Sequence, residues 1–243
     1  MNIIEELLQK YKKLHFSLID PDKQTPKEAG KRAELCAKYG TNAIMIGGTT
    51  VKDRKIVYDT IKSIKEHVKV PTILFPNSAD AVSENADYIF FMKLLNSKED
   101  KYQINEQVRG APLVKKWKIT PIPMGYIVIS TSKKPTTIEK NVKLHRIQID
   151  DIKKAVEYSI YAEMTGMNCI YLEAGSDAEQ PIPNEMLKAI RSEIEIPIIV
   201  GGGIKNARTA KEKVDAGADI IVNGTATEEN IRVIEDIIRT IRS

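Results

Sequence analysis

Short β-rich apolar runs recur eight times along this chain, each separated from the next by a helical or loop stretch, and no other feature restricts its fold as much. The runs are HFSLI (15–19), NAIMIG (42–47), TILF (72–75), YIFFM (88–92), IPMGYIVIS (122–130), CIYLE (169–173), PIIVG (197–201) and DIIVNG (219–224). Most are continuously apolar instead of alternating, the pattern of parallel strands buried on both faces. Between them lie helix signals: PKEAGKRAELCAKYG places Pro26 near a helix start and Gly40 just past its end. An open doubly wound sheet shares this alternation, but the count of eight and the position of the glycines favour closure. The expected fold is therefore α/β, a single (β/α)8 TIM-type barrel over residues 1–243, the length one such barrel needs. An N-terminal helix over about residues 2–13 precedes it, with Ile3, Ile4, Leu7, Leu8 and Tyr11 at helical spacing.

Three connections break the simple repeat. After the third strand, PNSADAVSENAD holds only a short helix at best, so the barrel is expected to be modified around its third helix. The segments KLLNSKEDKYQINEQVRGAP and TSKKPTTIEKNVKLHRIQID, after strands four and five, are long, and long βα loops rim the active-site face of a barrel.

Composition narrows the function classes. Hydrophobic residues at 42% and charged residues at 29% describe a globular chain with one sizeable core. Lysine and arginine exceed aspartate and glutamate by 37 to 33, too little for a nucleic-acid footprint, while anionic small molecules fit. Cys36 and Cys169 fall in a helix and a strand, where buried free thiols are common, and a reducing cytoplasm is expected. No apolar run nears the roughly 18 residues of a membrane span, and the first residues, with Glu5 and Glu6, read as neither signal nor anchor.

Three clusters carry chemistry. Strand seven ends in Gly201, Gly202 and Gly203, and strand eight in Gly224 and Thr225; both turns precede helices. Glycines let backbone approach a ligand, and helix starts favour anions, so the pair of turns reads as a phosphate site; tight strand-to-helix turns are the plainer explanation. After strand six, YLEAGSD sets Tyr171 and Glu173 two apart, on one side of the strand, with Gly175 and Ser176 opening the loop. A carboxylate and a phenol at a barrel mouth can hold substrate hydroxyls and accept a proton, although a buried tyrosine with a paired structural glutamate gives the same pattern. At the end of strand one, LIDPDK offers Asp20 and Asp22, and GGTT after strand two offers Thr49 and Thr50, hard oxygens suited to Mg²⁺ or simply an Asp-Pro turn. His15, His67 and His145 have no zinc-like spacing.

The strings LIDPDK, IMIGGTT, FPNSAD, FMKLLNS, GAPLVKK, PIPMGYIVI, YLEAGSD, VGGGI and VNGT, in that order, make the chain resemble the geranylgeranylglyceryl phosphate synthases, archaeal ether-lipid prenyltransferases related more distantly to bacterial heptaprenylglyceryl phosphate synthases. The resemblance implies transfer of a geranylgeranyl group from geranylgeranyl diphosphate to the 3-hydroxyl of sn-glycerol 1-phosphate, with help from Mg²⁺. It implies metal positions at Asp20 and Thr49. For glycerol phosphate it implies Tyr171, Leu172, Glu173, Ala174, Gly175, Ser176 and Asp177 together with Gly202, Gly203, Gly224 and Thr225. Glu173 is the candidate base for the attacking hydroxyl. Asp177 departs from the glycine more familiar there and is expected to face solvent, while Ser17 and Leu18 stand where one branch of the family has a lysine. A groove for the prenyl tail, with Phe75, Phe90 and Phe91 lining it or serving the core, is expected beside the modified third helix, and Lys23, Lys93 and Arg109 are candidates for the diphosphate, with a solvated place on the rim the default for each. The resemblance further implies a homo-oligomer, a dimer or hexamer, in which Trp117 either anchors a contact or packs. Two other readings share the glycine turns: a phosphosugar isomerase or aldolase, and a non-catalytic barrel that binds a phosphorylated ligand.

Overall fold

A computed structural model describes residues 2–176, 178–225 and 231–243. Its eight strands are β1 (Leu14–Ile19), β2 (Ala43–Ile46), β3 (Thr72–Leu74), β4 (Tyr88–Leu94), β5 (Thr120–Val128), β6 (Cys169–Glu173), β7 (Ile198–Gly201) and β8 (Ile220–Asn223). They run parallel in sequence order and close into a barrel, β8 returning to β1 through pairs such as Val222 with Phe16.

Alternation along each strand sorts the side chains into two layers. Phe16, Met45, Ile73, Phe90, Met124, Tyr171, Ile199 and Val222 fill the barrel. The helix α1 (Ile3–Tyr11) lays Ile3, Leu7 and Leu8 against this interior, and its first turn is closed by a reciprocal Asn2–Glu5 capping box. Side chains pointing outward meet the helices. One apolar layer joins β5–β8 to α6 (Ile152–Met164), α7 (Asn184–Arg191), α8 (Ala207–Asp215) and α9 (Arg232–Ile241). Another joins β1–β4 to α2 (Pro26–Tyr39), α3 (Arg54–His67) and α4 (Glu106–Lys116). The start and stop signals read for α2 hold: Thr25 and Glu28 form a capping box ahead of Pro26, and Gly40 ends the helix at φ 101°.

The irregular connections fall where the sequence places them. Between β3 and β4 there is a single 3₁₀ turn, Ala79–Ala81, in place of a helix. A π turn, Lys101–Asn105, leads into α4, and the short α5 (Thr137–Asn141) precedes α6. Trp117, at the end of α4, is half-buried with the Arg54 guanidinium 5.6 Å from its ring centre, so within this chain it packs. Cys36 and Cys169 are buried and unbridged. Among the described residues no helix is long and apolar enough to cross a membrane.

Candidate active site

A cavity of about 590 Å³ opens at the C-terminal ends of the strands. Its walls include Thr49, Tyr171, Glu173, Gly175, Ser176, Gly202, Gly203, Gly224 and Thr225, so the chain at and just beyond the ends of β2, β6, β7 and β8 converges on one space.

Glu173 ends β6 and is 8% exposed. Its Oε1 accepts from the Gly175 N–H at 2.6 Å, and its Oε2 accepts from the Tyr126 hydroxyl at 3.2 Å. Burial pushes the carboxyl above the usual glutamate value, and the donors from Gly175, Tyr126 and Tyr171 partly offset that rise. Burial and the neighbouring carboxylate push the Tyr126 and Tyr171 hydroxyls well above 10, so both remain donors. The Tyr171 ring stacks on Phe75, with centroids 5.4 Å apart, and meets Tyr126 edge-on at 5.3 Å. A carboxylate with a raised pKa, held by fixed donors at the mouth of a barrel, can accept a proton.

The period of two separates the remaining residues of that segment. Leu172 and Ala174 face the apolar layer beneath the helices, so their side chains do not reach the cavity, and any contribution comes from backbone. Asp177 lies outside the described residues. Ser176 is exposed, and its carbonyl accepts from Thr225 Oγ1 at 3.4 Å, joining the loops after β6 and β8.

The glycine turns have different local causes. Gly202 and Gly203 adopt φ 86° and 70°, a region that disfavours side chains, and a Cβ on Gly203 would lie 2.7 Å from the Pro181 nitrogen. Gly224 is under no such constraint: among the described residues, the atoms nearest to a Cβ there are those of Leu18, at 3.5 Å or more. The reading that the first turn is itself a helix start needs correction. Ile204, Lys205 and Asn206 intervene before α8, and the Asn206 side chain already caps that helix at the Thr209 N–H, 2.9 Å away. Loop amides, not a helix N-terminus, are therefore the donors available near Gly202 and Gly203. After β8, Thr225 itself has helical backbone geometry.

On the opposite rim, the Asp20 carboxylate packs over Gly48, where a Cβ would fall 2.3 Å from Oδ2, and its Oδ1 accepts from the Asp22 N–H at 3.0 Å. Thr49 follows directly and lines the cavity, its carbonyl accepting from Asn77 Nδ2 at 2.8 Å. Thr50 donates to Asp22 at 2.9 Å. No group of three or more histidine, cysteine, aspartate or glutamate residues that could hold a metal exists among the described residues. Asp20 and Thr49 offer hard oxygen donors, the chemistry a Mg²⁺ ion takes when water and substrate phosphates complete its coordination.

The cavity continues as an apolar arm between the 3₁₀ turn and α4, lined by Ala79, Val82, Phe90, Phe91, Met92 and Gly110, with Phe75 where the arm meets the mouth. Gln107 Nε2 ties the Met92 carbonyl, on β4, to α4. Of the basic candidates, Arg109 is bound to Asp80 at 2.8 Å and to Glu106 at 2.9 Å, and Lys23 and Lys93 are exposed. The cations that line the cavity are Lys52, Lys101 and Lys205. Motif reading passed over these and Tyr126; the signal for Lys52 and Lys205 was a lysine just downstream of a glycine turn on this face. His15 is buried in a hydrogen-bonded pair with Asn223, and His67 and His145 are exposed.

The arrangement has close relatives. Over 226 residues the chain is 45% identical to the geranylgeranylglyceryl phosphate synthase of Pyrococcus horikoshii, covering 93% of this chain and 87% of that one. It superposes with a TM-score of 0.93 on the GGGPS of Thermoplasma volcanium, at 36% identity over 100% of this chain and 98% of that one. The TM-score is also 0.93 on the (S)-3-O-geranylgeranylglyceryl phosphate synthase of Thermoplasma acidophilum, solved in complex with its substrate sn-glycerol-1-phosphate, at 35% identity over 100% and 99% of the two chains. The PcrB family model matches residues 5–243, and the chain belongs to the PcrB family.

Proposed function

We propose that the chain transfers a geranylgeranyl group from geranylgeranyl diphosphate to the 3-hydroxyl of sn-glycerol 1-phosphate. The observation that carries this reading is one cavity with two unlike ends: glycine turns beside a buried carboxylate, and an apolar arm leading away where a 3₁₀ turn replaces the helix after β3. A phosphosugar isomerase or aldolase has no use for the arm. The names of the relatives point the same way.

Glycerol phosphate sits with its phosphate on the turns at Gly202, Gly203, Gly224 and Thr225 and its hydroxyl toward Glu173. Held there, attack on the prenyl carbon becomes effectively intramolecular. The allylic carbon–oxygen bond of the diphosphate breaks, the glycerol oxygen bonds to that carbon, the hydroxyl proton passes to Glu173, and diphosphate leaves. Tyr126 and the Gly175 N–H hold the carboxylate in place for that transfer. Lys52, Lys101 and Lys205 supply positive charge around the leaving group. Asp20 and Thr49 would hold Mg²⁺, which would offset the charge that builds on the diphosphate. The apolar arm takes the prenyl tail and keeps water from the reacting carbon. The enzyme works in the cytoplasm as a homo-oligomer and hands its product to the membrane.

The test is turnover of radiolabelled sn-glycerol 1-phosphate with geranylgeranyl diphosphate and Mg²⁺. An ether-linked, organic-extractable product supports the proposal. Binding of glycerol phosphate without product leaves a non-catalytic barrel, and turnover of a phosphosugar in place of prenyl transfer refutes the assignment.

A further inference from the structure

The last residue of β8 occupies a junction between the two glycine turns. Asn223 directly precedes Gly224, so its backbone starts the second turn. Its side chain reaches the first: Nδ2 donates to the Ile204 carbonyl at 2.7 Å, one residue past Gly203. On its other side Oδ1 lies 3.1 Å from His15 Nε2 on β1, and His15 Nδ1 lies 3.0 Å from Thr41 Oγ1. Asn223 and Ile204 are each 3% exposed and His15 is fully buried, so water does not substitute for these bonds. The protons follow from the partners. A carbonyl can only accept, so the amide nitrogen faces Ile204; Oδ1 then faces His15, Nε2 carries the ring proton, and Nδ1 is left to accept.

We propose that Asn223, itself held by His15, is a positioning residue for the phosphate-bearing substrate, clamping the Gly202–Gly203 turn against the Gly224–Thr225 turn so that both serve one phosphate. The inference rests on the glycerol phosphate reading above and deepens it. Three successive glycines have more conformational freedom to lose than any other tripeptide, and a loop that must be ordered at each binding event binds more weakly. The Asn223–Ile204 bond fixes that loop before substrate arrives, and the His15 ring fixes Asn223. Neither residue has to touch the phosphate for this to work.

Two variants separate positioning from stability. Asn223→Leu removes the clamp but strands the Ile204 carbonyl and the His15 Nε2–H in a buried layer, which lowers Tm. The double variant His15→Leu/Asn223→Leu removes the stranded histidine donor as well and regains part of that Tm, because deleting both partners of a buried hydrogen bond costs less than deleting one. Thr41 Oγ1 still has the His15 carbonyl at 3.0 Å to donate to. The expected result is a KM for sn-glycerol 1-phosphate raised about tenfold in both variants, a shift the size of a lost buried hydrogen bond. The KM for the prenyl diphosphate stays within about twofold, as a loss confined to one substrate's binding requires. A KM that recovers with Tm in the double variant, a KM unchanged in Asn223→Leu, or equal rises for both substrates overturns the clamp. Calorimetry with sn-glycerol 1-phosphate on the parent chain distinguishes the deeper failure: no binding there refutes the functional reading and the clamp with it, whereas parent binding that survives undiminished in both variants refutes the clamp alone.

Discussion

Replacing Glu173 by glutamine tests the proposed chemistry at its centre. The amide keeps an oxygen for the Gly175 N–H, which the carboxylate accepts at 2.6 Å, and the Tyr126 hydroxyl, 3.2 Å from the other oxygen, can turn to accept from the new NH₂. The fold and the pocket shape therefore survive, and what disappears is the capacity to take a proton. A general base contributes about 10²- to 10⁴-fold, equivalent to roughly 3–5 kcal/mol of barrel-mouth catalysis at 1.36 kcal/mol per tenfold. Two pH signatures accompany the loss. Because burial raises the Glu173 pKa, the parent gains rate as pH rises through a value above 4.5, and the variant loses that limb. Stability runs the other way: the native state holds the Glu173 proton more tightly than the unfolded chain, so the parent loses stability as pH rises through that window. The glutamine variant lacks this loss and melts no lower than the parent at neutral pH. Rapid-quench single-turnover assays with both substrates saturating measure the chemical step directly. Chemistry within about threefold of the parent, below the range of a general base, refutes the assignment and leaves Glu173 an orienting residue.

Three further substitutions probe the rest of the site. Gly224→Ala puts a methyl in ordinary contact with Leu18, so Tm should shift by no more than about 2 °C while KM for glycerol phosphate rises; an unchanged KM removes the phosphate from this turn. Gly203→Val is less informative, because its side chain strikes the Gln180–Pro181 backbone before any ligand. Asp20→Asn should abolish the Mg²⁺-dependent part of inorganic diphosphate binding in calorimetry and leave glycerol phosphate affinity intact; equal activity with the parent across a magnesium titration refutes the metal role. His15, whose pKa burial holds down at about 4, costs the fold stability as pH falls from 6.5 toward 4. The unfolded chain takes up that proton first, a loss of up to about 3 kcal/mol. His15→Gln should flatten the slope of Tm over that interval, and an identical slope refutes the account.

The barrel was legible because its strands are buried on both faces, so each stands out as an apolar run against charged helices. Strand ends shifted by a residue or two: TILF (72–75) contracts to Thr72–Leu74, and the fifth run starts two residues earlier, at Thr120. Tyr171 and Glu173 were legible through the period of two. That period sends Leu172 and Ala174 the opposite way, a distinction that a motif read as a block does not make. Tyr126 escaped notice because its role is set by register across strands: β5 places it opposite Tyr171, which brings its hydroxyl to Glu173 from 47 residues away. The Asn223–Ile204–His15 contacts were hidden for the same reason. The glycines were read as making room for a ligand. At Gly202 and Gly203 the protein's own loops already require them, whereas at Gly224 the nearest described atoms, those of Leu18, leave ordinary contact distance.

The single turn at Ala79–Ala81 has a thermodynamic consequence for the whole molecule. A helix in that place would cover the outer face of β4; without it, Phe91 and the neighbouring wall of α4 border a void. The empty enzyme is then a barrel with part of its core unbuilt. On the proposed function, a prenyl chain lying in that gap would remove the same kind of surface from water that a helix after β3 would, so the substrate would supply the missing packing layer. Stability and occupancy are linked in such a molecule: the melting temperature should climb with prenyl diphosphate concentration by mass action, and release of the product reopens a hole in the core.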